Sequence, residues 1–172
     1  MLRCKQTIVS LVFFMMSANA CAMPLHDAVL AKDSQSALRI LAEGADVNQR
    51  DSLGRTPLLL AVEKGDVNMA LALLQAGADV NAQAANKDTP WLLAGASGHT
   101  EILMLMIPKK PDLSIRNRYG GNALIPACER GHVATVELLL TTEIDVDHVN
   151  DLGWTCLLEA VILGDGGEAH RD

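Results

Sequence analysis

Aromatic residues are scarce in this sequence: two Phe, two Trp and one Tyr among 172 residues. Cores of this size usually lean on aromatic rings for buried area. Here Ala, Leu, Val and Gly must supply it, which suggests thin, closely stacked, repeated units. Basic residues are outnumbered, 14 Lys and Arg against 21 Asp and Glu, for a formal net charge of −7. That balance argues against nucleic acid as the main partner, because phosphate binding needs a basic surface. Four Cys are too few for a disulfide scaffold of this length. No Cys-x-x-Cys, Gly-x-Gly-x-x-Gly or P-loop pattern occurs, so thioredoxin-like redox chemistry and phosphate cradles have no support. What is plentiful is apolar surface, 49% of residues, too much for a disordered chain.

The first residues read as a targeting segment. Arg3 and Lys5 precede the mostly apolar run from Thr7 to Met16, and small residues follow from Ser17 to Ala22. This is the three-part layout of a secretory signal. The run is too short for a bilayer span, which needs roughly 20 residues. Cleavage fits after Ala20 or after Ala22, and residues 1–20 are assigned as the signal. Cys21 opens a lipid-anchor alternative, but the residues before it lack a large aliphatic side chain at −3, so plain cleavage is favoured. Without the signal the chain holds 12 basic and 21 acidic residues, net −9, and no Phe. A periplasmic or secreted location is expected.

A period of 33 organises the rest. Thr56-Pro57 recurs as Thr89-Pro90, with Asn122-Ala123 and Thr155-Cys156 in the same register. The next position reads Leu25, Leu58, Trp91, Leu124, Leu157. Three further on it reads Ala28, Ala61, Ala94, Ala127, Ala160. Gly65, Gly98, Gly131 and Gly164 keep the period, with Lys32 as the deviant first member, and so do Asp46, Asp79, Asp112 and Asp145. Such self-similarity is the mark of a repeat array.

Gly54-Arg-Thr-Pro-Leu-Leu-Leu-Ala61, Gly65 and Leu71-Ala-Leu-Leu-Gln-Ala-Gly-Ala-Asp79 together resemble the ankyrin repeat. The resemblance covers residues 23–172 and implies an all-α solenoid of stacked helix-turn-helix pairs with projecting loops. Four full repeats and an incomplete fifth are expected: an N-terminal cap at 21–53, then 54–86, 87–119, 120–152 and 153–172. Thr56 suits an N-cap and Pro57 the first turn. Gly65, Gly98 and Gly131 can take the left-handed conformation that stops a helix.

Departures from the pattern carry their own expectations. Pro108-Lys-Lys-Pro111 should end the second helix of repeat three early. Trp91, in an aliphatic register, should fill a larger pocket. Repeat five has its first helix, Thr155 to Leu163, then the Gly-rich tail to Asp172. That ending resembles a late repeat of bacterial exported ankyrin proteins and suggests a truncated or frameshifted chain, with a frayed or partnered genuine end as the alternative.

Chemistry has little support. His26, His99 and His132 sit at repeat positions with structural roles, His148 near Asp145 and Asp147 is too sparse for a metal site, and His170 is in the tail. Cys128 and Cys156 are five positions apart in repeat register. With a rise of about 1.5 Å per residue and roughly 10 Å between helix pairs, they are expected to lie beyond disulfide reach, as small buried residues. No enzyme, cofactor or metal is expected. Binding is left. The resemblance implies a concave loop and inner-helix surface that meets another protein, with Arg50, Asp51, Arg55, Asn86, Arg116, Arg118, Tyr119, Glu129, Arg130 and Trp154 as candidate contacts. Arg and Tyr are frequent hot-spot residues, so the loop around Arg116, Arg118 and Tyr119 stands out. A monomer in the bacterial envelope is expected, with an immunity or inhibitor protein against a toxin, or a secreted effector of host proteins, as alternative roles.

Overall fold

The computed structural model describes residues 23–162. The expected signal with Cys4, both cleavage sites, Cys21, and the tail with His170 lie outside those residues. The described chain forms α1 (Pro24–Leu30), α2 (Ser34–Ala42), α3 (Pro57–Glu63), α4 (Val67–Gln75), α5 (Pro90–Ala96), α6 (Thr100–Met106), a 3-10 turn (Ile107–Lys109), α7 (Leu124–Glu129), α8 (Val133–Leu140) and α9 (Cys156–Ile162). No strand occurs among the described residues. The odd-numbered helices pack in series as an inner layer and the even-numbered ones as an outer layer. This is the all-α stack of helix pairs that the 33-residue period predicts.

Most helices start where a side chain satisfies free backbone N–H groups; α1, α6 and α8 have no such cap. The hydroxyl oxygens of Thr56, Thr89 and Thr155 accept from Leu59, Leu92 and Leu158 at 3.3, 3.1 and 3.2 Å. In repeat four Asn122 takes that place; its Oδ1 accepts from Leu124 and Ile125. Asn is as good a cap as Thr, so the missing Thr-Pro costs little. Asp66 and Asp33 cap the outer helices α4 and α2 in the same way. Between the paired helices Gly65, Gly98 and Gly131 have φ of +61°, +71° and +65°. Lys32 holds the same left-handed conformation, φ +55°, so the register sets the backbone even where the residue disfavours it.

Pro108 and Pro111 act as expected: α6 ends at Met106 and the chain leaves through a 3-10 turn. Trp91 is buried between its neighbours, as are Leu25, Leu58 and Leu124 of the same register. The core runs as one continuous cluster from Leu25 to Leu139 and Ile144. No described repeat encloses its own apolar face; each inner helix except α9 is covered by the next described one.

The cysteine expectation is overturned. Cys128 and Cys156 form a disulfide with Cα atoms 5.3 Å apart, joining the end of α7 to the start of α9. The expected separation holds only for inner helices that lie level with one another. These are staggered, so the last turn of one meets the first turn of the next. One repeat earlier the same register pair, Gly95 and Ala123, is so close that a Cβ on Gly95 would lie 2.8 Å from that of Ala123. Both pairs are 28 residues apart. Two cysteines at this register therefore bridge by the geometry of the stack itself.

Candidate protein-binding cleft

Hairpin turns project from the inner layer once per repeat. The N–H groups of Asp51, Ala84, Asn117 and Asn150 donate to the carbonyls of Arg55, Asp88, Gly121 and Trp154 at 2.9–3.0 Å. Asp or Asn recurs at three of those positions because its side chain also accepts from the turn. Asn117 Oδ1 takes bonds from Tyr119 and Gly121, and Asn150 Oδ1 from Leu152 and Trp154. Neighbouring hairpins are tied sideways: Ala85 N–H donates to Leu53, and Asp151 N–H to Tyr119. Gln83 carries the tie further, its carbonyl accepting from Arg50 at 2.6 Å while its amide donates to the Arg116 carbonyl at 3.0 Å.

Half of the predicted contact residues are committed to this framework. Arg50 bridges two hairpins. Arg55 pairs with Asp51 at 2.8 Å and Glu63 at 3.4 Å. Burial opposes ionisation of Asp51, but the bonds from Arg55 and Leu53 win and hold its carboxyl below the usual range. Asn86 donates to Asp88, and Arg116 folds back onto the Leu113 and Ile115 carbonyls. The sequence groups Arg116 with Arg118 and Tyr119; its guanidinium is instead spent within its own loop.

The other half converges. Arg118, Tyr119, Glu129, Arg130 and Trp154 line a cleft of about 610 Å³ between the last two hairpins and the inner helices α5, α7 and α9. Leu93, Ile125 and Leu152 give it an apolar floor and rim. The Arg118 guanidinium lies over the Tyr119 ring, 4.9 Å from its centre, a cation–π contact. Arg130 donates to the Ala96 carbonyl. Aromatic rings, Arg and apolar groups around one concavity are what a binding surface requires.

Two acids in the cleft escape a reading of the sequence. Asp88 is pushed up by burial, against Arg118, the Asn86 bond and Arg130. Glu159 is pushed up by burial and by the Glu129 carboxylate. Glu159 has only a partial signal: its register holds Leu60, Leu93 and Pro126 in repeats two to four, but Asp27 already puts an acid there in repeat one. Asp88 has none, since its register reads Arg55, Gly121 and Trp154. The histidines serve the stack. His26 Nε2 lies 3.1 Å from the Arg55 carbonyl, and the His99 and His132 rings sit over Gly65 and Gly98 of the preceding repeats. His148 Nε2 lies 2.6 Å from the Gly120 carbonyl, with Asp145 3.9 Å from its Nδ1. The described residues hold no group of three or more His, Cys, Asp or Glu placed for a metal, and no helix long and apolar enough to cross a membrane.

Staggered helix pairs with hairpin fingers over a concave cleft define a helical-repeat binding scaffold. The chain belongs to the ankyrin repeat family: residues 3–84, 25–117 and 91–168 each match the model described as ankyrin repeats, three copies. Such repeats generally mediate binding between proteins. Among solved structures it is similar to EF0377, an ankyrin repeat protein, at 45% identity and TM-score 0.82. It is also similar to the ankyrin repeat domain ABAYE2397 of Acinetobacter baumannii AYE, at 46% identity and TM-score 0.82. Each likeness covers 86% of this chain and 75% of the other. No curated protein matches the chain.

Proposed function

We propose that this chain is an exported scaffold that binds another protein through the cleft, in the bacterial envelope or outside it. The observation that carries the reading is the convergence of Arg118, Tyr119, Glu129, Arg130 and Trp154 on one concavity. Export is supported by the signal-like first 20 residues and by the Cys128–Cys156 bridge. Structural disulfides persist in oxidising compartments and are rare where thiols are kept reduced.

The test is capture from an envelope extract, with crosslinking, by the chain from residue 23 onward. A protein retained by that chain and lost with a Tyr119→Ala/Trp154→Ala variant is expected. Recovery of no specific protein, or equal recovery by the variant, would sink this reading.

A further inference from the structure

The cleft holds charges of both signs. Asp88 lies in the field of Arg118 and Arg130. Both cations are engaged there, Arg118 over Tyr119 and Arg130 on the Ala96 carbonyl. Glu129 and Glu159 line the same cleft close enough to repel each other, and Trp154 lines it too. Glu159 is only 6% exposed. Among the described residues no side chain donates a hydrogen bond to its carboxylate and none pairs with it as an ion. Its carboxylate oxygens are not fully buried and face the cleft, where partial burial and the Glu129 carboxylate both oppose its charge. Its register holds Leu60, Leu93 and Pro126 in repeats two to four and the exposed Asp27 in repeat one, and Leu60 shows that an aliphatic side chain packs there fully buried. Glu159 is therefore a poor choice for stability and a good one for attracting a cation into an apolar, aromatic-walled space.

We propose that the Glu129–Glu159 pair in the cleft receives a basic side chain, a lysine or arginine presented by the bound protein. This rests on the protein-binding reading and names the chemistry of its contact. Two carboxylates supply the counter-charge, and an ammonium or guanidinium beside the Trp154 face gains a cation–π contact. The disulfide contributes by position: Cys156 opens the helix that carries Glu159, so the bridge to α7 fixes that carboxylate against Glu129.

The purified chain is titrated with blocked Gly-Arg-Gly, Gly-Lys-Gly and Gly-Gln-Gly peptides, following the Trp154 indole N–H by NMR. Saturable shifts with both basic peptides and none with the glutamine peptide are expected. Glu159→Gln should weaken the basic peptides by about tenfold while its thermal unfolding midpoint stays equal or rises. Misfolding cannot mimic that combination. Equal binding of all three peptides, or unchanged affinity in the variant, would overturn the proposal. So would an Arg171→Ala variant that gains affinity for the basic peptides, since the cation would then be the chain's own. Peptide binding that fails while protein capture persists refutes this inference and leaves the protein-binding reading standing. Capture that fails while the peptides bind does the reverse.

Discussion

Helices α3 and α9 are built on the same register, yet their fates differ. Leu58 of α3 is fully buried, whereas Leu157, its equivalent in α9, is 73% exposed. Leu59, Leu60 and Val62 are buried, but Leu158, Val161 and Ile162 are exposed. Both helices have an N-cap threonine and an aliphatic sequence. What α3 has and α9 lacks is a neighbour on each side and an outer helix of its own among the described residues. Apolar character marks a face for burial; only the adjoining repeat buries it. Where half of that cover is missing, the Cys128–Cys156 bridge ties the helix down covalently.

The contrast can be broken from the α3 side first. Leu58→Ala should cost about 2–5 kcal/mol in denaturant unfolding, the usual range for emptying a fully buried leucine site. The bridge comes next. Closing a loop between residues 28 apart is worth up to about 3.5 kcal/mol by loop-closure entropy. Reduction, or Cys156→Ser, should therefore free the amides of α9 to hydrogen exchange and leave those of α3 to α6 protected. Unchanged protection in α9 would mean that packing alone holds it.

Gly95→Ala tests the stagger that brings the cysteines together. In an open helix that change stabilises by roughly 1 kcal/mol. Here the added carbon meets the Ala123 side chain at 2.8 Å and its carbonyl at 2.9 Å, so a loss of about 1–3 kcal/mol is expected.

A smaller effect should come with the opposite sign from Glu159→Gln. The folded state holds the Glu159 proton to higher pH than the unfolded chain does. Its contribution to stability is therefore complete below the unfolded carboxyl pKa, about 4.3, and is lost as pH rises through the raised folded value. The variant's gain should be largest at neutral pH and vanish below about pH 4. A gain independent of pH would assign the effect to packing. Smallest of all, Leu157→Ala should change stability by less than about 0.5 kcal/mol, as exposed sites do. A cost like that of Leu58→Ala would abolish the contrast.

Much of the fold is legible in the residues alone. The recurring Ala at 28, 61, 94, 127 and 160, the Thr-Pro starts and the periodic Gly residues specify helix pairs at a fixed spacing, because each answers a local steric or hydrogen-bonding demand. The candidate contacts are legible only in part. A loop Arg reads the same whether it faces a partner or a carbonyl of its own loop, so Arg116 and Arg118 cannot be told apart by their letters. Glu159 shares its register with the exposed Asp27 of repeat one, so neither its burial nor its company can be read from the letters.

The sequence by itself determined the repeat, its boundaries as expectations, the caps and the aliphatic character of the core, since these depend on neighbours within about 33 residues along the chain. Tertiary structure decided what depends on how one repeat leans on the next. The stagger between inner helices turned two cysteines expected to lie far apart into a bridge. The stacking of the last repeats placed Arg118, Tyr119, Glu129, Trp154 and Glu159 around one cleft while leaving Arg50, Asp51 and Arg55 to the frame. Both outcomes rest on small offsets between helices, and a periodic sequence carries no trace of such offsets.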